Sequence, residues 1–314
     1  MFRYKEYIFT ICETGSFTKA AEKLFVSQPS LSATVKRLEE KIGEPIFDRS
    51  SSPVSLTEAG KEYVKYAIQI RELERDFEKY VFDYGNLLAG KIRIGGSSFF
   101  SSLVLPEIIS EFSKENTKIE FEIFEDNTKN LLVKLRENSL DIIVDNTKPD
   151  EENISSKAYK SEQLLLAVPK KFTINKRFEK ERLTAEEIKA NEHLNVRGID
   201  FSKLTDQPFV LLRRENDTGK RAEKLFKKYE ATPNVVFYLD QQVTSYNVAC
   251  AGIGIAFVSD TLVKSIGASP DVYYYKINDR LAVRNIYFLY KKNGYLSSAC
   301  RKFLETNAGK KEDI

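Results

Sequence analysis

The sequence has little of what enzymes work with. Among 314 residues there is one histidine, His193, and there are three scattered cysteines, Cys12, Cys250 and Cys300. One His and three isolated Cys cannot assemble a closed zinc site of the usual kind. They also leave few candidates for a nucleophile or a general base. The expectation is a non-enzyme that needs no metal and no cofactor. So few cysteines make no disulfide framework, which fits a reducing compartment. Apolar runs are short, and none reaches the roughly 18 residues that cross a bilayer. The start, Met1-Phe2-Arg3-Tyr4-Lys5-Glu6, lacks an apolar signal core, so a cytoplasmic protein with no membrane partner is expected. Charge of one sign is also scarce. The formal net charge is +3, and residues 1–60 carry eight Lys/Arg against eight Asp/Glu. There is no basic domain, so any nucleic-acid reading has to rest on a motif.

What is present is ordinary globular material. A chain 42% hydrophobic and 30% charged is not disordered throughout, and its length implies two or three domains. The first block reads as short helices. Tyr4, Ile8 and Ile11 recur at helical spacing, and Gly15 stops that helix. Cys12 reads as part of its packed side. Ser16 can cap a second helix bearing Ala20, Ala21 and Leu24, and Ser27 a third, bearing Leu31, Val35 and Leu38. Pro29 sits in the third helix's first turn, where a missing N–H costs little. Pro45-Ile46-Phe47 and Val54-Ser55-Leu56 flank Ser50-Ser51-Ser52-Pro53 as a small two-stranded wing. Thr57 then caps a long helix to Leu88, roughly 45 Å at 1.5 Å per residue. Tyr63, Tyr66, Ile70, Leu73, Phe77, Tyr80 and Tyr84 alternate spacings of three and four along it, a seam that calls for a partner helix and so a homodimer. Gly85 to Gly90 reads as a hinge. Beyond it, strands and helices alternate, which implies a largely parallel sheet. Two similar α/β lobes with a return strand to the first suggest a clam-shell with a cleft.

The strongest signal is FTKAAEKLFVSQPSLSATVKRLE, from Phe17 to Glu39. Its physics is that of a helix-turn-helix. Ala20 and Ala21 are small enough for close helix crossing, and Val26 plugs the turn. Gln28, Ser30 and Ser32 stand at the start of the second helix, short polar groups able to enter a major groove. Gln pairs bidentately with adenine, Pro29 can touch a thymine methyl, and Lys36 lies one to two turns on, within reach of phosphate or a base. A polar helix start that merely faces solvent is the plainer reading of the same residues.

FTKAAEKLFVSQPSLSATVKRLEEKIGEPIFDR, followed by VSLTEAG, resembles the winged helix-turn-helix of the LysR-type transcriptional regulators. GKIRIGG, LPEIISEF, ENSLDIIV and VACAGIGIAFV fall where that family has them, so the resemblance spans nearly the whole chain. It implies an α/β fold with a helix-rich winged helix-turn-helix domain at 1–58 and a linker and dimerisation helix at 59–88. It further implies a two-lobed effector domain at 89–314, shaped like a periplasmic binding protein. The first lobe is expected at about 89–162 and 268–314, the second at about 163–267. Implied partners are double-stranded promoter DNA, a small-molecule effector and further copies of the chain, as homodimers assembled into tetramers. DNA contacts are expected at Ser27, Gln28, Pro29, Ser30, Ser32, Lys36 and the wing's Arg49.

Two stretches depart from the family pattern. Ala33 and Ser50-Ser51-Ser52-Pro53 stand where basic residues are common, which predicts weaker phosphate anchoring and a shallower salt dependence. A charged stretch from about Lys176 to Glu192 is extra. It reads as helical, covering the cleft, joining an oligomer interface or lying inert on the surface. His193 beside it reads as a surface or packing residue.

Effector contacts follow from strand ends. Ser97 and Ser98 open a helix after the first strand, Thr128 opens the next, and Asn146 follows the third strand. Such ends line clefts in open α/β sheets, and the free N–H groups of helix starts favour anions. In the second lobe Arg213, Glu215, Asn216 and Thr218 occupy an equivalent end, though Thr218 also reads as a simple cap. A carboxylate-bearing effector is the expectation. Gly252-Ile253-Gly254 runs helix-to-strand, the reverse of a dinucleotide site, and Thr218-Gly219-Lys220 lacks the rest of a phosphate loop. Two alternatives stay open: a DNA-binding regulator without an effector, and a cytoplasmic solute-binding α/β protein.

Overall fold

The structure, a computed structural model, describes residues 1–50, 53–85, 89–267 and 269–309, the side chains of Lys79 and of residues 82–85 excepted. The expected wing serines Ser51 and Ser52, the seam side chain of Tyr84 and the middle of the expected hinge lie outside the described residues. The chain divides into two compact units, Met1–Phe82 and Asp83–Ile314.

In the first unit a 3-10 turn at Phe2–Tyr4 leads into α1 (Lys5–Thr14), which Gly15 ends with φ +62°. A residue without Cβ is favoured in that left-handed conformation. The Ser16 hydroxyl caps α2 (Phe17–Lys23), and the Ser27 hydroxyl caps α3 (Gln28–Ile42). β1 (Phe47–Asp48) and β2 (Ser55–Leu56) pair antiparallel as the wing. Thr57 accepts the Gly60 N–H at 3.0 Å and so caps α4 (Glu58–Gly85). Ile8, Ile11, Ala20, Leu31, Val35 and Ile46 form the core between these elements. Each large aliphatic so buried contributes about 1.5–3 kcal/mol of burial free energy. Cys12 does not join it: the thiol is exposed. Ile8 and Ile11 hold the inward stripe, and the next residue round the helix turns outward. Tyr63, expected on the dimer seam, also turns to this core and stacks on Phe2 at 4.9 Å.

In the second unit β3 (Gly90–Gly96) runs parallel to β4 (Ile119–Glu125) and β5 (Ile142–Asp145). A single π turn at Phe100–Val104 precedes α5 (Leu105–Glu115), and Asn127 caps α6 (Thr128–Arg136). The long β6 (Ile154–Pro169) belongs to both lobes. Its first half pairs antiparallel with β11 (Val283–Lys291), its second half with β9 (Ile255–Ser259) and β10 (Val272–Lys276). β7 (Pro208–Leu212) and β8 (Asn234–Leu239) complete the second lobe. α7 (Ala185–Lys189), α8 (Asp217–Lys228), α9 (Gln242–Cys250), α10 (Asp260–Ile266) and α11 (Ser298–Asn307) pack around them. The strand order is β4-β3-β5-β11-β6-β9-β7-β8, with β10 also on β6. Residues 272–276, expected in the first lobe, therefore pair within the second, and the return strand to the first is β11.

The charged stretch is no surface helix. It forms a 3-10 turn at Glu179–Glu181, α7, and another turn at Glu192–Leu194. It buries Phe178, Leu183, Ala185 and Ile188, and Leu183 bridges to Tyr274 of β10. Its charges alternate with apolar residues that the second lobe needs as core, so it is not inert, and it does not cover the cleft. His193 is fully buried, with Nε2 3.1 Å from Asp260 Oδ2. Asp260 Oδ1 accepts the Gln163 N–H at 3.0 Å, so this cluster ties α10 to β6. Burial presses the Asp260 carboxyl upward, but the His193 hydrogen bond and Lys264 leave it below its ordinary value.

Candidate functional site

Two places gather the residues expected to act. The first is the start of α3. Leu31, Thr34, Val35 and Leu38 face the core, so helical geometry puts the intervening residues outside. Gln28, Pro29, Ser30 and Lys36 are exposed, and Ser32 is half-buried. Gln28, Ser32 and Lys36 recur every four residues along one outward face. The Ser27 hydroxyl accepts the Ser30 N–H, so it serves first as a cap. The turn between α2 and α3 is held by Val26 N–H to Ala21 O at 3.0 Å. Phe25 in that turn has φ +54° and is 96% exposed. Ala20 and Ala21 are buried at the crossing, as small side chains allow. Arg49 is differently placed from the others. Its guanidinium meets Glu39 Oε2 at 2.9 Å and lies 4.9 Å over the Phe17 ring. Glu39 in turn accepts the backbone N–H groups of Ile46 and Phe47. Arg49 thus fixes the wing to α3, and any phosphate contact would be a second role.

The second place is a cleft of about 300 Å³ between the lobes of the second unit. Ser97, Ser98, Thr128, Asn146, Arg213 and Thr218 all line it. Their partners differ from simple expectation. Thr128 donates to Asp145 Oδ2 at 2.6 Å. The Asn146 amide donates to Glu162 Oε2 and Asn285 O. Arg213 Nε is 3.2 Å from Asp240 Oδ1. Thr218 is no cap. Asn216 caps α8, and the Thr218 hydroxyl accepts from Arg284 at 2.9 Å.

Sequence reading missed the floor of this cleft. Arg284 on β11 stands opposite Glu162 on β6 in the strand register. Its Nε meets Glu162 Oε2 at 2.6 Å, and its Nη1 meets Asp217 Oδ2 at 2.9 Å. Arg284 and Glu162 are buried. Burial works against the guanidinium charge, but Glu162 and Asp217 hold its pKa above the ordinary value. Arg221 joins by donating to Asp217, Leu281 O and Val283 O. One arginine from a strand of the first lobe thereby grips a helix start of the second. Asp145, at the end of β5, is also buried and lines the cleft. The end of a parallel strand was the available signal, and it pointed one residue further, to Asn146. Arg284 and Glu162 left no signal, being 122 residues apart.

Family models match both parts of the chain. The LysR substrate binding domain matches residues 85–308, and the bacterial regulatory helix-turn-helix protein, lysR family, matches residues 2–61. The chain belongs to the LysR family. It is a DNA-binding transcriptional regulator with a helix-turn-helix and an effector-binding domain, and its family consists of regulators, not enzymes. The HTH-type transcriptional regulator YcgK of Bacillus subtilis (strain 168) is 26% identical over 96% of this chain and 91% of its own length. The RuBisCO operon transcriptional regulator of Allochromatium vinosum is 23% identical, over 94% and 91%. Among solved structures, a full-length OxyR variant from Pseudomonas aeruginosa superposes with a TM-score of 0.69 at 22% identity, covering 98% of this chain and 94% of that one. Full-length CbnR complexed with its target DNA gives 0.64 at 17%, covering 98% of both. At such identities these two similarities speak for the fold alone. Among the described residues no helix is long and apolar enough to cross a membrane.

Proposed function

We propose that this LysR-family regulator reads double-stranded promoter DNA through Gln28, Pro29, Ser30 and Ser32, with Lys36 anchoring a phosphate beside them and Ser27 and Arg49 holding the reading head in shape. The observation that carries this is the outward row on α3, whose opposite face is locked into the core. A rigid helix start with short polar groups meets the geometry of major-groove readout. Homodimers form through α4, whose Tyr66, Leu73, Phe77 and Tyr80 stay exposed in the monomer; a large apolar stripe left open is a partner surface. The family resemblance supports tetramers of these dimers.

The cleft senses a small molecule. About 300 Å³ bounded by polar groups from both lobes lies at the small end of ligand pockets. Bound molecules act by their difference in affinity between open and closed lobes, with the Arg284 contacts to Glu162 and Asp217 carrying the change from one lobe to the other. The expected carboxylate rested on helix starts, and the chain's own acids already crowd two of them, at α6 and α8.

Titration of a fluorescent duplex from the gene's own upstream region tests the DNA reading, with a scrambled duplex of equal length as control. The upstream duplex should bind at least tenfold tighter, about 1.4 kcal/mol. Equal binding to both at low and high salt would refute it.

A further inference from the structure

We propose that the cleft selects a small cation, an amine or guanidine that also carries a hydrogen-bond acceptor. This rests on the reading of the cleft as an effector site.

The lining supplies the argument. Six carboxylates, from Glu125, Asp126, Asp145, Glu215, Asp217 and Asp240, face two cations, Arg213 and Arg284. Both cations already have partners: Arg213 has Asp240, and Arg284 has Glu162 and Asp217. Asp126 has Lys134. Among the described residues Glu125, Asp145 and Glu215 have no ion-pair partner. Two of the helix starts that would draw an anion, those of α6 and α8, are answered from within. Asp126 Oδ1 accepts the Asn127 N–H ahead of α6, and Asp217 is the first residue of α8. A helix start offers about half a positive charge, and each of these starts already faces a full negative one. A ligand carboxylate would enter a field of its own sign.

Two buried groups say what would be welcome. Asp145 is only 5% exposed and accepts from the Thr128 hydroxyl and, at 2.7 Å, from the Thr147 N–H. Among the described residues no cation answers it. Burial raises its pKa, the two hydrogen bonds oppose that rise, and nearby Asp217 adds to it. An ammonium beside it would restore the charged form. Gln242 is 4% exposed, and its Oε1 accepts from the Ser259 hydroxyl at 3.3 Å. Its Nε2 is buried without a partner among the described residues, in a residue that lines the cleft. An orphaned buried donor costs free energy until an acceptor arrives, so the ligand carries one. Phe99 and Phe100 complete the wall with their rings at 5.0 Å, an apolar surface for a methylene stem. At the ~30 Å³ that one water-sized group occupies, the cleft admits on the order of ten non-hydrogen atoms.

The test uses the full-length protein and three amides of matched length: 4-aminobutanamide (cation), succinamide (neutral) and succinamate (anion). Affinities are read by titration calorimetry. We expect 4-aminobutanamide to bind roughly tenfold or more tighter than succinamate. In Asp145→Asn that preference should fall several-fold. Glu215→Gln, at an exposed position, should reduce it less and serves if the first variant fails to fold. Gln242→Leu should weaken all three amides alike. The proposal is overturned if succinamate binds as well as the cation, if the preference survives both charge variants, or if none of the three binds at millimolar concentration. Any of these results in a protein that still selects its upstream duplex counts against the charge assignment alone. Failure to select DNA counts against the regulator reading.

Discussion

Asp145 and Arg284 carry charge buried in the cleft, and each bears on stability. The Asp145 carboxyl titrates above its ordinary range because burial penalises the charge. The folded chain therefore holds that proton more tightly than the unfolded chain. The resulting stability is full below the unfolded pKa and is lost as pH rises through the folded one. Asp145→Asn should thus be more stable than wild type at pH 7, and the gap should close as pH falls into the ordinary carboxylate range. Urea titrations of the pair across that window check the sign. Arg284→Met leaves Glu162 buried beside no counter-charge among the described residues, while Asp217 keeps Arg221. Removing one partner of a buried pair costs about 3–5 kcal/mol, which denaturant unfolding would register. The double variant Arg284→Met with Glu162→Leu should recover much of that loss. Neither residue was legible beforehand. Asp145 hides behind its neighbour because a strand end gives a place but not which side chain turns inward. The Arg284–Glu162 pair exists only through strand register across 122 residues.

Helices announced themselves better than strands. Ser16, Ser27 and Thr57 cap where short polar residues precede an apolar period, and Gly15 and Gly43 end α1 and α3 in the left-handed conformation. The first half of β6, Ile154 to Gln163, gave no such sign. Its residues are mostly polar and half-buried, so alternation never rises above background. The stretch from Lys176 to Glu192 misled in the other direction. Its charges suggested a solvated helix, yet Phe178, Leu183 and Ile188 among them are core. α4 was legible as a heptad seam except at its start, where Tyr63 is drawn into the core by Phe2. Further along, Leu73 and Phe77 are 69% and 66% exposed, too apolar for water along so continuous a face. Phe77→Glu, or Leu73→Glu with it, should lower the dimer's association constant at least tenfold, about 1.4 kcal/mol. Sedimentation equilibrium would show the monomer fraction rise. An unchanged profile would move the dimer contact off this helix.

For the molecule as a whole, the division of labour was readable and its coupling was not. Composition turned attention from catalysis, and the Phe17–Glu39 stretch carried the DNA-reading assignment that the family match supports. The two lobes were readable from alternating elements, but their shared floor was not, since β6 and β11 are far apart in sequence. A near-neutral first domain means that few phosphates anchor it, so base contacts must carry much of its selectivity. The sharpest measurement compares Gln28→Ala and Lys36→Ala with wild type on upstream and scrambled duplexes across a salt series. Gln28→Ala should lose about 1–3 kcal/mol of discrimination while keeping its affinity for scrambled DNA. Lys36→Ala should weaken both duplexes alike and lower the salt slope by about one. If Gln28→Ala discriminates as well as wild type, the start of α3 is not the reader, and the assignment of the DNA-reading surface falls.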